Sequence, residues 1–363
     1  MAQAAGGDVI FALLADNTLV EVSPEGGRLR GKLSLDAPLD YPAAGRYLGQ
    51  SKDGKTLFAL VPRGSLDGAS EIMAVNVATS RVRDRYVLER GVVFRSLAVG
   101  PKTGRLYLFG NRPGGEIGGP AGNNGEEAAV VTVLDPDDGR ALRSETVRED
   151  GGRAWSVYRG GVSADERRLF IGYHGGTTGA DWVEITPDGL DRCRKRVPAY
   201  QGCIPAHGDV EAYGDRLLTA TSDPPRIVET GREGEITREW DTKLEGNHMA
   251  DFVVDDGADR LYALGSCGYT GGLSRIDLGT RQVEPLVPTQ AGLDRPSERE
   301  RAVCGERMAL GTGSLLVVGK TARVVPQAEM PGSLLLIDGD TRIKVRAVDT
   351  PSEPVDVLVV PSP

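Results

Sequence analysis

Apolar residues in this chain either alternate with polar ones or run four to seven at a time, and clusters of Gly, Asp, Asn and Pro separate the runs. No helical period is sustained over any length, so the pattern predicts strands from one end to the other. The clearest of these strands recur. Arg105-Leu106-Tyr107-Leu108-Phe109-Gly110, Arg168-Leu169-Phe170-Ile171-Gly172 and Arg260-Leu261-Tyr262-Ala263-Leu264-Gly265 each follow a short apolar strand and a polar turn. Taking each such pair as the first two strands of a unit divides the chain into seven units of about fifty residues.

The two ends are out of phase with this repeat. Gly7 to Leu14 looks like a second strand with no first, and Val355 to Val360 is a strand with nothing after it. A repeat that starts late and is completed by its own tail describes a closed ring, and closure removes the sheet edges that would otherwise pair with other chains. The expected units are 8–39 together with 354–360, then 41–92, 93–152, 154–203, 204–246, 247–304 and 305–353, all within one domain. Turns such as Asp135-Pro136-Asp137-Asp138-Gly139, Thr186-Pro187-Asp188-Gly189 and Asp338-Gly339-Asp340 close the third strands with suitable residue types. Three long insertions are expected, at Asn111–Glu127, Thr289–Glu306 and Val324–Pro331.

The polar turn followed by a Leu-Tyr-Val-like strand resembles the YVTN-type seven-bladed β-propellers. The resemblance spans the chain but lives in strand patterning. It implies an all-β, seven-bladed propeller whose C-terminal strand completes the first blade. That family includes enzymes, subunits of redox complexes and plain binding scaffolds, so the fold leaves function open.

Composition narrows the partners. The 363 residues carry 52 acidic and 43 basic side chains, a formal charge of −9, without a basic stripe. Nucleic acid and anionic membranes are therefore not expected partners; a small-molecule substrate is, and a protein partner remains open. No apolar run is long enough to cross a bilayer as a helix. Arg outnumbers Lys about fourfold, which suggests a bacterial source. The start of the chain lacks the pattern of an uncleaved signal peptide and reads either as a mature N-terminus or as a cytoplasmic one. The expectation is a secreted or periplasmic protein, with the cytoplasm as the alternative. The four cysteines form no CxxC motif; short separation pairs Cys193 with Cys203, and a shared face pairs Cys267 with Cys304, unless all four are reduced.

Candidate chemistry rests on three histidines. With alternating strand direction, His174 (at the end of a second strand), His207 and His248 (each before a first strand) share one face of the ring near the channel mouth. Three imidazoles from neighbouring units suit a divalent transition metal, Zn, Cu or Fe, with positions left for water or substrate. Asp209 and Asp251 follow two of them closely and could orient the rings. Glu306 is a candidate fourth ligand or base. Tyr158, Arg159, Tyr173, Tyr269 and Arg95 share the face, the arginines being suited to carboxylate or phosphate. Of these, Glu306, Arg159, Tyr158 and Tyr269 are the expected catalytic residues. The competing readings are acid/base or substrate contacts without metal, and plain hydrogen bonding between loops. Nucleophile-elbow, phosphate-loop, HExxH and EF-hand motifs are absent. The leading expectation is metal-assisted lyase, cyclase, hydrolase or oxidase chemistry on a small molecule; the alternatives are a non-catalytic binding protein and a redox-complex scaffold. Some propeller lyases and lactonases that the fold resembles use a metal at the same mouth.

Overall fold

Strand pairing obeys the apolar pattern. In the computed structural model, which describes residues 8–23, 29–35, 45–62, 69–112, 128–146, 156–174, 179–186, 189–192, 210–214, 216–221, 224–231, 235–244, 249–265, 272–287, 307–320, 332–338, 340 and 345–361, strands fall into seven four-stranded antiparallel sheets. Six sheets use consecutive strands. Blade 2 runs Leu48–Gln50, Thr56–Val61, Glu71–Asn76 and Arg81–Val87; blade 3 runs Val93–Val99, Leu106–Arg112, Ala128–Leu134 and Ala141–Thr146. Blade 4 comprises Ser156–Val162, Arg168–His174, Gly179–Thr186 and Gly189–Arg192, and blade 5 comprises Val210–Tyr213, Arg216–Thr221, Arg226–Thr230 and Ile236–Asp241. Blade 6 holds Met249–Asp255, Arg260–Gly265, Leu273–Asp277 and Val283–Val287, and blade 7 holds Arg307–Leu310, Leu315–Lys320, Gly332–Asp338 and Val345–Thr350. Blade 1 is the exception: Pro354–Val360 pairs with Val9–Leu14, ahead of Thr18–Val22 and Leu29–Ser34.

The first strands touch one another in cyclic order, from Pro354–Val360 through Leu48–Gln50, Val93–Val99, Ser156–Val162, Val210–Tyr213 and Met249–Asp255 to Arg307–Leu310 and back. Sheets arranged radially about these strands make an all-β propeller, as expected, closed between the two ends of the chain. Burial follows. Second strands lie between neighbouring blades on both faces and are continuously apolar, as in the fully buried Thr56–Val61. Outer strands face water on one side, so Arg81–Val87 alternates exposed and half-buried positions. The core is a series of layers between blades: one cluster spans blades 1 to 3, and others join 3 to 4, 5 to 6, 6 to 7 and 7 to 1.

In blades 2 to 7 the turn between first and second strands carries a left-handed residue: Gly54, Gly104, Glu166, Gly214, Asp259 and Gly313. These turns form the lower face. Blades 2 and 4 build theirs alike: Ser51 and Ser163 donate to Asp53 and Asp165 at 2.7 and 2.6 Å, and each aspartate also accepts the backbone N–H two residues on. Glu166 then reaches across to blade 3, where its carboxylate accepts from Lys102 N (2.7 Å), Thr103 N and Oγ1 (both 2.6 Å) and Tyr107 Oη (3.2 Å). Burial pushes the Glu166 carboxyl up, but these hydrogen bonds outweigh it and hold the group below its ordinary value. Burial and the facing carboxylate push the Tyr107 hydroxyl up to about 12.

Two boundaries differ from the sequence reading. The first strand of blade 2 begins only at Leu48, well inside the unit expected from residue 41, and Arg46 gives its carbonyl to Leu97 N of blade 3 instead of to its own sheet. In blade 3 the second strand continues through Arg112, one residue beyond Asn111, where the long insertion was expected to begin. Asn111 Oδ1 accepts Val157 N of blade 4 at 2.9 Å, which makes this residue a junction between blades.

Removal of residues 354–363 should strip Val9–Leu14 of its partner and expose a sheet edge. Loss of the cooperative thermal transition and aggregation on gel filtration are expected; a monodisperse truncated chain with an unchanged transition would contradict ring closure. A depressed carboxyl pKa stabilises the fold above the ordinary glutamate value of about 4.3 and ceases to do so as pH falls through the folded value. The thermal midpoint of Glu166→Gln should therefore lie below that of the parent at neutral pH and converge with it in acid.

Candidate functional site

Among the described residues each blade contributes a charged side chain at or near the start of its first strand: Asp356, Arg46, Arg95, Arg159, Glu211, Asp251 and Arg307, in order from blade 1 to blade 7. They form a charged layer beneath the upper face, the end at which first strands begin. Bulges shape it. In blades 1, 3, 4 and 6 the pairing with the second strand slips by one residue, and Asp356, Ser96, Arg159 and Asp251 are the residues that follow the slip. A bulge kinks the strand and re-aims the next side chain, which is a common device at barrel and ring mouths.

Two carboxylates of the layer bind the next blade. Asp356 Oδ2 accepts Tyr47 N at 2.6 Å and Leu48 N at 2.8 Å, while Oδ1 accepts Val357 N at 3.0 Å. Asp251 repeats the arrangement: Oδ2 accepts Met308 N of blade 7 at 2.8 Å and Oδ1 accepts Phe252 N at 2.9 Å. Asp251 Oδ1 also receives the Arg159 guanidinium of blade 4 at 3.2 Å, with the two side chains 1% and 2% exposed. Burial pushes the Asp356 carboxyl up, against the pull of Arg307, Arg46 and the backbone donors. Burial likewise raises the Tyr47 hydroxyl, so it stays protonated and serves only as a neutral polar group.

Arg46 crosses the ring. Its guanidinium donates to Glu211 of blade 5 at 2.5 Å and lies 3.8 Å from Asp251 of blade 6. This pair is wetter than the one below it, with Arg46 30% and Glu211 19% exposed. Arg307 Nη2 donates to the Gly45 carbonyl at 3.3 Å, a second link from blade 7 to blade 2. Gly45 is required by packing: a Cβ there would stand 2.0 Å from the Arg95 carbonyl and 2.5 Å from the Tyr47 ring. Gly160, beside Arg159, is fixed the same way, because a Cβ would enter the Phe109 ring at 2.1 Å.

The expected site residues divide into two groups. Arg159 lies in the layer, and its described contact is with Asp251. Arg95 is half-buried on blade 3. His174 ends the second strand of blade 4, its backbone opposite Ser156 at the upper mouth, and Tyr158 occupies the bulge of the same blade; the side chains of both, with those of Tyr173 and Trp182, lie outside the described residues. His207, His248, Asp209, Tyr269, Glu306, Trp155 and the four cysteines also fall outside them, and with them both disulfide pairings. Among the described residues, no group of three His, Cys, Asp or Glu side chains is placed to hold a metal. Sequence reasoning missed Arg46, Glu211, Arg307 and Asp356. A partial signal was available: a charge early in a mostly apolar first strand, as in Pro354-Val355-Asp356-Val357-Leu358, recurs in several blades though not at one fixed position.

A cavity of about 330 Å³ lies elsewhere, between the outer strands of blades 1 and 2, lined by Leu19, Glu21, Lys32, Leu33 and Ser80 among others. Its Glu21 is already bonded to Ser80, and it touches none of the charged layer. The chemistry concentrates at the channel instead.

Searches with family models and among curated proteins find no match for this chain. Solved structures do match. A protein of unknown function from Desulfotomaculum acetoxidans aligns at a TM-score of 0.66 and 10% identity, covering 99% of this chain and 100% of that one. The periplasmic gluconolactonase of Pseudomonas aeruginosa aligns at 0.63 and 15% identity, covering 98% and 99%. A putative 6-phosphogluconolactonase from Bacteroides uniformis aligns at 0.62 and 12% identity, with the same coverage. These likenesses extend over the whole ring and establish the propeller fold.

Removing one partner of a buried ion pair leaves the other charge stranded and costs about 3–5 kcal/mol. Arg159→Met and Asp251→Asn should each destabilise on that scale, while the double variant should lose clearly less than their sum because neither charge of the pair is left stranded in it. Additive losses in a denaturant-unfolding cycle would show that the two charges do not depend on one another.

Proposed function

We propose that the protein is a small-molecule enzyme acting at the upper mouth of a seven-bladed, YVTN-type ring. The observation that carries this reading is the charged layer: one ionisable residue from each of seven first strands, gathered at one end of the channel. Such a layer is expensive to assemble, since charges drawn from water toward a protein interior are favourable only when closely paired. His174 closes a second strand at the same end, and in the sequence His248 immediately precedes Met249 and His207 precedes Val210 by three residues, Met249 and Val210 being the first residues of two first strands. In this reading His174, His207 and His248 hold a divalent transition metal, Zn, Cu or Fe, with Glu306, Tyr158 and Tyr269 around the substrate. The metal would supply Lewis-acid or redox chemistry. The fold carries an enzyme elsewhere, since one of its structural neighbours is a gluconolactonase.

A second reading, binding without turnover, draws on the carboxylates. Asp251 and Asp356 each accept at least two backbone N–H groups, which suits them to join blades rather than to move protons.

Elemental analysis before and after chelation separates the two. The enzyme reading expects about one transition-metal ion per chain, as three imidazoles around one ion require. That ion should be lost when any one of the three histidines is replaced by Ala, with the thermal transition of the ring retained. Neutral imidazole is the ligand, so occupancy should fall as pH drops below about 6.5. Metal-free protein after reloading, with variants that bind metal no differently from the parent, would leave the binding reading.

A further inference from the structure

Among the described residues the charged layer is not neutral. Four guanidinium groups (Arg46, Arg95, Arg159, Arg307) face three carboxylates (Glu211, Asp251, Asp356) in a chain whose formal charge is −9. Two of those carboxylates share their charge with backbone donors: Asp356 accepts three N–H groups and Asp251 two. The upward push of burial on the Asp356 carboxyl moves the balance further the same way. A positive centre at the mouth of an acidic protein attracts anions specifically to that point.

The two ion pairs of the layer differ in kind. Arg159–Asp251 is dry, each partner at most 2% exposed, and is part of the frame. Arg46–Glu211 is partly wetted at 30% and 19% exposure, and pairs in contact with water are weak and exchangeable. Arg46 sits ahead of its strand and reaches across the ring to Glu211, and a guanidinium offers a planar fork that matches an oxyanion.

We propose that the upper mouth binds a small oxyanion, a carboxylate or phosphate group, on Arg46, and that Glu211 is an internal substitute occupying the guanidinium until the ligand replaces it. This deepens the mouth reading by assigning it an anionic ligand class. Arg46 is the ligand contact. Glu211 is a positioning residue, because it acts by holding and releasing Arg46.

The substitute makes an asymmetric prediction. Arg46→Gln should weaken anion binding at least about tenfold, whereas Glu211→Gln should strengthen it by a comparable factor, since a competitor has been removed. Arg46→Lys keeps the charge without the fork and should fall between. The measurement is calorimetric titration of the full-length protein with inorganic phosphate, a phosphate monoester such as glycerol phosphate, succinate and citrate, with glycerol as the neutral control. Thermal transitions of each variant establish that the ring is intact. Selective binding by the phosphates or by the carboxylates decides between the two sources, and affinity should decline with added salt. Binding unaltered in Arg46→Gln, or weakened in Glu211→Gln, would overturn the proposal, as would the absence of binding by all four anions. His248→Ala distinguishes the two levels. If it abolishes metal binding while Arg46→Gln leaves anion affinity untouched, the mouth reading stands and the anion site fails; if neither variant changes either property, both fail.

Discussion

Everything in this molecule depends on the pairing of Val9–Leu14 with Pro354–Val360. Six blades can be assembled from consecutive strands, but the seventh sheet needs both ends of the chain. That pairing also brings Asp356 to the mouth, where its carboxylate takes the backbone donors of Tyr47 and Leu48 and fixes the start of blade 2. Blade 2 in turn positions Arg46, which spans the channel to blades 5 and 6. Closure and site are thus one construction. The strand that removes the last exposed edge is the strand that anchors the cross-channel arginine.

The fold was legible because a propeller writes its geometry locally. Alternating and continuous apolar runs announced outer and inner strands, and the phase offset between Val9 and Val360 announced closure. Boundaries were less legible where a backbone group bonds to a neighbouring blade instead of its own. Arg46 gives its carbonyl to Leu97, so the blade 2 strand starts late, and Asn111 receives Val157 N, so the blade 3 strand runs on. No local pattern encodes such contacts. The site was legible only in part. Arg159 and Asp251 drew notice as polar residues near histidines, but their pairing joins positions 92 residues apart. Arg46 and Glu211 are separated by 165 residues, and only the ring brings them together.

The two faces of the ring obey different physics. On the lower face several turn carboxylates are held by immediate neighbours. Ser51 and the Lys55 backbone lower Asp53, Ser163 lowers Asp165, and the Thr280 backbone lowers Asp277. Partners two or three residues away make these anions insensitive to anything beyond the turn. Glu166 extends the same logic between blades, since all four of its donors come from one turn and the strand that follows it.

On the upper face the partners are distant in sequence, and exposure grades their roles. Where water is excluded, as at Arg159–Asp251, separating the charges strands both of them, and the pair is fixed as framework. Where water reaches, as at Arg46–Glu211, separation costs little because solvent or a ligand can take either place. One ring can therefore be rigid and responsive within a single layer of side chains. The dry pair links blades 4 and 6 across the channel. A ligand bound on Arg46 as proposed would compete first with the wetter pair, so binding and stability would be separable in this design even though the same aspartate, Asp251, lies within 4 Å of both arginines.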